Sequence, residues 1–129
     1  MKFKIGFVLM ISLVFVIGAI AKTLPNAEQT SLNKKEQKLI EKLSAEKAGE
    51  RIEAAQELAK HDCKLAKDHL VKMLKNDDAY QARIVAGMSL MELECKDALP
   101  DIKKQAEEDP SKIVRNALTG VVKKMEQAS

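Results

Sequence analysis

The chain has 129 residues, with 22 Lys and Arg, 19 Asp and Glu, three Phe, one Tyr and no Trp. Much of its apparent basicity lies at the start: residues 1–21 hold Lys2, Lys4, Phe3, Phe7 and Phe15 but no acid, so 20 basic and 19 acidic residues remain beyond them. A near-neutral remainder whose lone aromatic is Tyr80 has neither the positive stripe nor the stacking platform of a nucleic-acid binder.

Residues 1–4 form a short positive start, residues 5–20 an apolar run, and Ala19-Ile20-Ala21 a small-x-small site. This is the layout of a secretory signal with cleavage expected after Ala21, and it predicts an exported protein, periplasmic or extracellular. The alternative is a retained anchor, because residues 5–21 lie at the lower edge of what spans a bilayer; only on that reading is the membrane a partner. No Cys stands at the cleavage point to accept lipid, and none of Asn26, Asn33, Asn76 and Asn116 lies in a glycosylation sequon, which fits a bacterial protein. Residues 22–32 are polar, contain Pro25 and lack apolar periodicity, so they are expected to form a flexible tether.

From Asn33 onward, Ala, Leu, Lys and Glu dominate and helix is the expected state throughout. The most informative feature is an internal period of 32 residues. Arg51, Arg83 and Arg115 recur at that interval, and so do Ala54, Ala86 and Leu118, Leu58, Leu90 and Val122, Cys63 and Cys95, and Asp77 and Asp109. Units this short cannot bury their own apolar faces and have to stack.

Within the first unit, residues 51–60 carry Ile52, Ala55, Leu58 and Ala59 at helical spacing. After the turn His61-Asp62-Cys63, a second helix carries Ala66, Leu70, Met73 and Leu74. The next unit repeats the pattern over residues 79–93 and 97–107, with Pro100 in a first turn where its missing N–H costs little. Residues 33–47 are expected to form one preceding helix, and Ser111 is expected to cap a final helix ending near Glu126. Six helices follow, the outer two serving as caps.

The run Leu93-Glu94-Cys95-Lys96-Asp97-Ala98-Leu99-Pro100-Asp101-Ile102, followed by Asp109-Pro110-Ser111-Lys112-Ile113-Val114-Arg115, resembles the short HEAT-like repeat, also known from phycobilisome-lyase-type proteins. The resemblance spans residues 49–125 and is looser before residue 82. It implies an all-α fold, a short right-handed α-solenoid of HEAT-like helix pairs over residues 33–129. It also implies a structural ladder in which Asp77 meets Arg83 and Asp109 meets Arg115, each acid lying six residues ahead of its Arg. Ala45 stands at that position in the first unit and would leave Arg51 without an acid, as in an atypical capping repeat.

Two Cys in an exported protein make Cys63 and Cys95 candidates for a disulfide. Equivalent positions of stacked helix pairs lie about 8–10 Å apart, beyond the usual reach of a bridge, so two separate half-buried thiols are the competing expectation. His61, Cys63 and His69 lack metal-ligand spacing, and no nucleophile, P-loop or dinucleotide motif is present. No metal, no cofactor and no catalysis are therefore expected. Met73, Met88, Met91 and Met125 are expected as core filler in place of aromatics, and Gly87 as a point of close helix approach.

The leading functional expectation is a non-catalytic protein-binding or scaffold module, with a protein or peptide held on a concave face lined by the second helices. Lys67, Val71, Lys72 and Lys75 of one second helix, and Asp101, Lys103 and Lys104 of the next, are the residues expected there. Two alternatives are a cofactor or chromophore maturation factor of the lyase type and a structural accessory subunit of an envelope complex.

Overall fold

A computed structural model describes residues 32–129; the expected signal and nearly all of the expected tether lie outside the described residues. Six α-helices follow one another: α1 Lys34–Lys42, α2 Ala48–Lys60, α3 Lys67–Asn76, α4 Tyr80–Glu92, α5 Leu99–Glu108 and α6 Lys112–Gln127. Short 3-10 turns at Lys64–Ala66 and Lys96–Ala98 lead into α3 and α5, and the described residues contain no strand.

Helix starts use ordinary cap chemistry at both ends of the stack. Asn33 accepts a bond from the Glu36 N–H while the Glu36 carboxylate accepts from the Asn33 N–H, a reciprocal capping box. Ser111 Oγ accepts from Val114 N–H at the head of α6, as its position before the apolar run led us to expect. Helix α1 stops at Lys42, short of the expected residue 47, because the chain turns there to aim the carbonyls of Ala45 and Glu46 at Arg51.

The ends of α2 and α4 explain the repeated cysteines. Asp62 and Glu94, 32 residues apart, both take a left-handed backbone, with φ of 53° and 56°. Cys63 N–H then donates to the Leu58 carbonyl and Asp62 N–H to Ala59, while Cys95 donates to Leu90 and Glu94 to Met91. This is the Schellman arrangement, in which the residue after the left-handed position turns an apolar side chain back onto the helix end. Cys63 and Cys95 are those residues, and both are buried.

Packing shifts the repeat by half a unit relative to the sequence reading. Each second helix packs most closely on the first helix that follows it across a tight turn: α1 on α2, α3 on α4, and α5 on α6. These hairpins stack through α2, α4 and α6 in one layer and through α3 and α5 in the other, making a short α-solenoid. Leu58, Leu70, Leu74, Leu90, Leu93, Ile102, Val114 and Leu118 are almost wholly excluded from water. Each Leu among them contributes about 1.5–3 kcal/mol.

Small residues accompany the close packing of the first-helix layer: Ala54 and Ala55 of α2 and Ala82 and Ala86 of α4 are all buried. Gly87 marks the tightest point, since a Cβ there would stand 2.4 Å from Leu118 Cδ2. Ser89 Oγ donates to the Ala55 carbonyl at 3.2 Å, tying α4 to α2. Of the expected core methionines, Met73 and Met125 are buried and Met91 is half-buried, but Met88 is 49% exposed. Its repeat partners are Gln56 and Gly120, both exposed, so this register points away from the stack.

Candidate interaction surface

The repeated arginines sit in the first turns of α2, α4 and α6, beside the turns that join each hairpin. Arg83 donates from Nε and Nη2 to the Asp109 carboxylate at 2.8 and 3.0 Å, and from Nη1 to the Asp77 carbonyl at 2.8 Å. Arg51 repeats this geometry, with both Nε and Nη2 on Asp77 at 2.8 Å and Nη1 on the Ala45 carbonyl at 2.8 Å. Each of these two arginines therefore fastens its own turn, through a carbonyl six residues back, to the next turn, through a carboxylate 26 residues ahead.

This corrects the expected ladder. Asp77 faces Arg51 rather than Arg83, and Asp109 faces Arg83 rather than Arg115. Arg51, expected to lack an acid, has two, because Asp78 also accepts from its Nη2 at 3.0 Å. Arg115 reaches only the Asp109 carbonyl, and no carboxylate pairs with it among the described residues. The physical reason is the course of the chain: the turn after a second helix returns to the end of the stack where the preceding first helix began.

Both acids also order their own turns. Asp77 Oδ1 accepts from Ala79 N–H, Asp109 Oδ1 accepts from Ser111 N–H, and Gln105 Nε2 donates to Asp109 Oδ2. Burial alone would raise the Asp109 carboxyl, but bonds from Arg83, the Ser111 N–H and Gln105 outweigh it and hold the group below the usual carboxylate range. Asp77 is lowered in the same way, with Arg51 and the Ala79 N–H overcoming desolvation. The hydrogen bond from Arg83 to Asp109 and that from Arg51 to Asp77 raise the two guanidinium groups in turn. Sequence reasoning missed Asp78 and Gln105, although Gln105 lies one helical turn before Asp109.

Ion pairs across the stack occupy most of the expected partner-binding residues. Lys67 pairs with Asp97, Lys75 with Asp101 at 2.7 Å, and Lys103 with Glu126 at 2.7 Å. The hydrogen bond to Asp97 raises the Lys67 ammonium, and the same bond lowers Asp97. Val71 is half-buried. Lys72 and Lys104, one repeat apart, are exposed and carry no ion pair among the described residues. Beside Lys72, a hollow of about 180 Å³ opens between the α1–α2 turn and α3, with His69, Met73 and Asp77 in its wall.

Cys63 and Cys95 are separate thiols, so the candidate disulfide is not formed; each side chain is held by its own helix-end motif. Burial raises both thiols above their ordinary value, which keeps them protonated and poorly nucleophilic. His61 lies 3.6 Å from Glu57, and no group of three or more metal-ligating side chains converges among the described residues. None of the described helices is long and apolar enough to cross a membrane.

Helical hairpins stacked at a fixed period and fastened turn to turn by arginine define a helical-repeat protein. Residues 36–122 match the family model for HEAT repeats, and the chain belongs to that family. HEAT repeats are commonly protein-interaction scaffolds and generally non-catalytic. Comparison with curated proteins and with solved structures finds no match.

Proposed function

We propose that the chain is an exported, non-catalytic scaffold whose second-helix face holds an acidic segment of a protein partner. The observation that carries this reading is the repeat-equivalent pair Lys72 and Lys104. Around them Lys67, Lys75 and Lys103 are neutralised within the chain, so these two exposed ammonium groups stand one repeat apart without internal partners among the described residues. Neighbouring helices of a stack lie about 8–10 Å apart, and an extended peptide crossing them can bring one carboxylate to each. Such contacts steer association and weaken as salt rises. Export rests on the positive start, apolar run and Ala19-Ile20-Ala21 site of residues 1–21.

The test is affinity capture from the envelope fraction with the fragment beginning at Lys22, run beside the Lys72→Glu/Lys104→Glu double variant. The partner retained by the parent should be lost from the variant, and its retention should fall as salt is raised. Equal capture by both proteins rejects the site. For the compartment, the intact mass of the exported protein should begin at Lys22; a mass that retains residues 1–21 rejects the cleaved form.

A further inference from the structure

One of the three arginine positions is unfilled among the described residues. In Arg51 and Arg83, Nη1 holds the carbonyl of the preceding turn while Nε and Nη2 grip a carboxylate. Arg115 repeats the first half of this arrangement, with Nη1 on the Asp109 carbonyl, but its carboxylate-gripping edge meets no acid among the described residues.

The apolar seam beside it is open as well. Between the second and third hairpins, Leu118 packs over Gly87, and Leu74 borders the same space: a Cβ on Gly87 would lie 2.4 Å from Leu118 and 3.6 Å from Leu74. One period later, Leu74 and Gly87 become Ala106 and Thr119. Together with Val122, these line a hollow of about 390 Å³ between α5 and α6, rimmed by the Lys103–Glu126 pair and Glu107. Ala106 and Val122 are only half-buried. The receiving surface of the seam thus recurs on the far side of the α5–α6 hairpin, next to the Arg115 guanidinium.

We propose that this surface docks an acidic turn of a partner protein. The partner's Asp or Glu carboxylate bridges Arg115 Nε and Nη2, and a branched apolar side chain from its following helix enters the Ala106–Thr119–Val122 hollow as Leu118 packs over Gly87. A forked guanidinium matches a planar carboxylate through two parallel bonds, so an acidic turn suits it better than a single point charge. A second copy of this chain is a poorer occupant, because its first turn carries Ala45 where Asp77 and Asp109 stand in the later turns and offers only Glu46, in the register of Asp78. The Lys103 and Glu126 charges form a polar rim around the apolar hollow, as at other docking surfaces.

The probe is a synthetic peptide of residues 99–127, the hairpin that supplies Asp109 and Leu118 to the preceding step of the stack. It is titrated calorimetrically into the full mature chain. Saturable binding is expected, weakened at least tenfold by Arg115→Gln in the protein or Asp109→Asn in the peptide. Arg115→Lys, which keeps the charge but loses the fork, should show a similar loss. Absence of binding, or binding indifferent to Arg115, overturns the proposal. So does self-association of the chain in sedimentation that Glu46→Gln abolishes, since that assigns the surface to a second copy. Lys72→Glu/Lys104→Glu should leave peptide binding unchanged, so failure here is distinguishable from failure of the second-helix site.

Discussion

Replacing Asp109 with Ala should be among the most damaging single changes in the repeat region. Its side chain is fully buried, and Arg83, its partner, is only 10% exposed. The substitution removes four hydrogen bonds, two from Arg83 and one each from Gln105 and the Ser111 N–H, and leaves a nearly buried guanidinium with backbone carbonyls alone. Breaking a buried pair from one side costs about 3–5 kcal/mol, against a total stability of about 5–15 kcal/mol for a domain of this size. With a urea m-value near 1.5 kcal/mol/M, the midpoint followed by far-ultraviolet circular dichroism should fall by about 2 M or more. Asp77→Ala should cost less, because Asp78 already accepts from Arg51 and can retain part of the interaction.

A double-mutant cycle gives the sharper test. Asp109 and Arg83 should couple by about 2 kcal/mol, whereas Asp109 and Arg115 should be nearly additive. Arg115 uses the Asp109 carbonyl, which Asp109→Ala leaves in place. Coupling to Arg115 as large as that to Arg83 would refute the forward pairing and restore the ladder expected from sequence.

Three further outcomes follow from the packing and the charges. Glu94→Gly should stabilise the chain by about 0.5–1 kcal/mol in the same urea assay, because it relieves a left-handed backbone that a Cβ disfavours; destabilisation would mean the Glu94 side chain contributes more than its strain. Gly87→Ala should destabilise by about 1 kcal/mol, since overpacking against Leu118 outweighs the gain in helix propensity, and the sign should reverse in a Leu118→Ala background, where the methyl fills space. Stability should also depend on acid: Asp77 and Asp109 sit below their unfolded value, so their contribution is complete above a pH of about 4 and is lost as pH falls through the lower folded values. In Asp77→Asn/Asp109→Asn that acid-sensitive part should shrink, and an unchanged acid melting profile argues against the assignment.

The period and the six helices were legible because burial imposes itself on every unit: Ala54, Ala86 and Leu118 had to face the same seam. The direction of the arginine bonds was not. In a lattice of 32 residues, an acid six places behind an Arg and one 26 places ahead occupy the same register, so spacing alone cannot choose between them. Only the ends differ, and among the described residues Arg115 rather than Arg51 is without a carboxylate. The second-helix ion pairs were hidden for another reason. Lys67 to Asp97 spans 30 residues and Lys75 to Asp101 spans 26, so neither pair follows the period, and these second-helix lysines are neutralised by acids brought in from the next repeat. The cysteines were found by their spacing but not explained by it, because Asp62 and Glu94 stand where glycine usually announces a left-handed helix end.

The arginine fastening also bears on how such a chain can lengthen. A segment of 32 residues copied in frame brings its own arginine and its own aspartate, so Arg51, Arg83 and the added arginine each still find an aspartate 26 places ahead. Excision is equally benign: without residues 64–95, Asp109 would fall 26 places after Arg51 and could take over the role of Asp77. An insertion of any other length between an arginine and its acid would break that correspondence. The bond therefore acts as a length standard, admitting growth or loss by whole helical hairpins and penalising fractions of them.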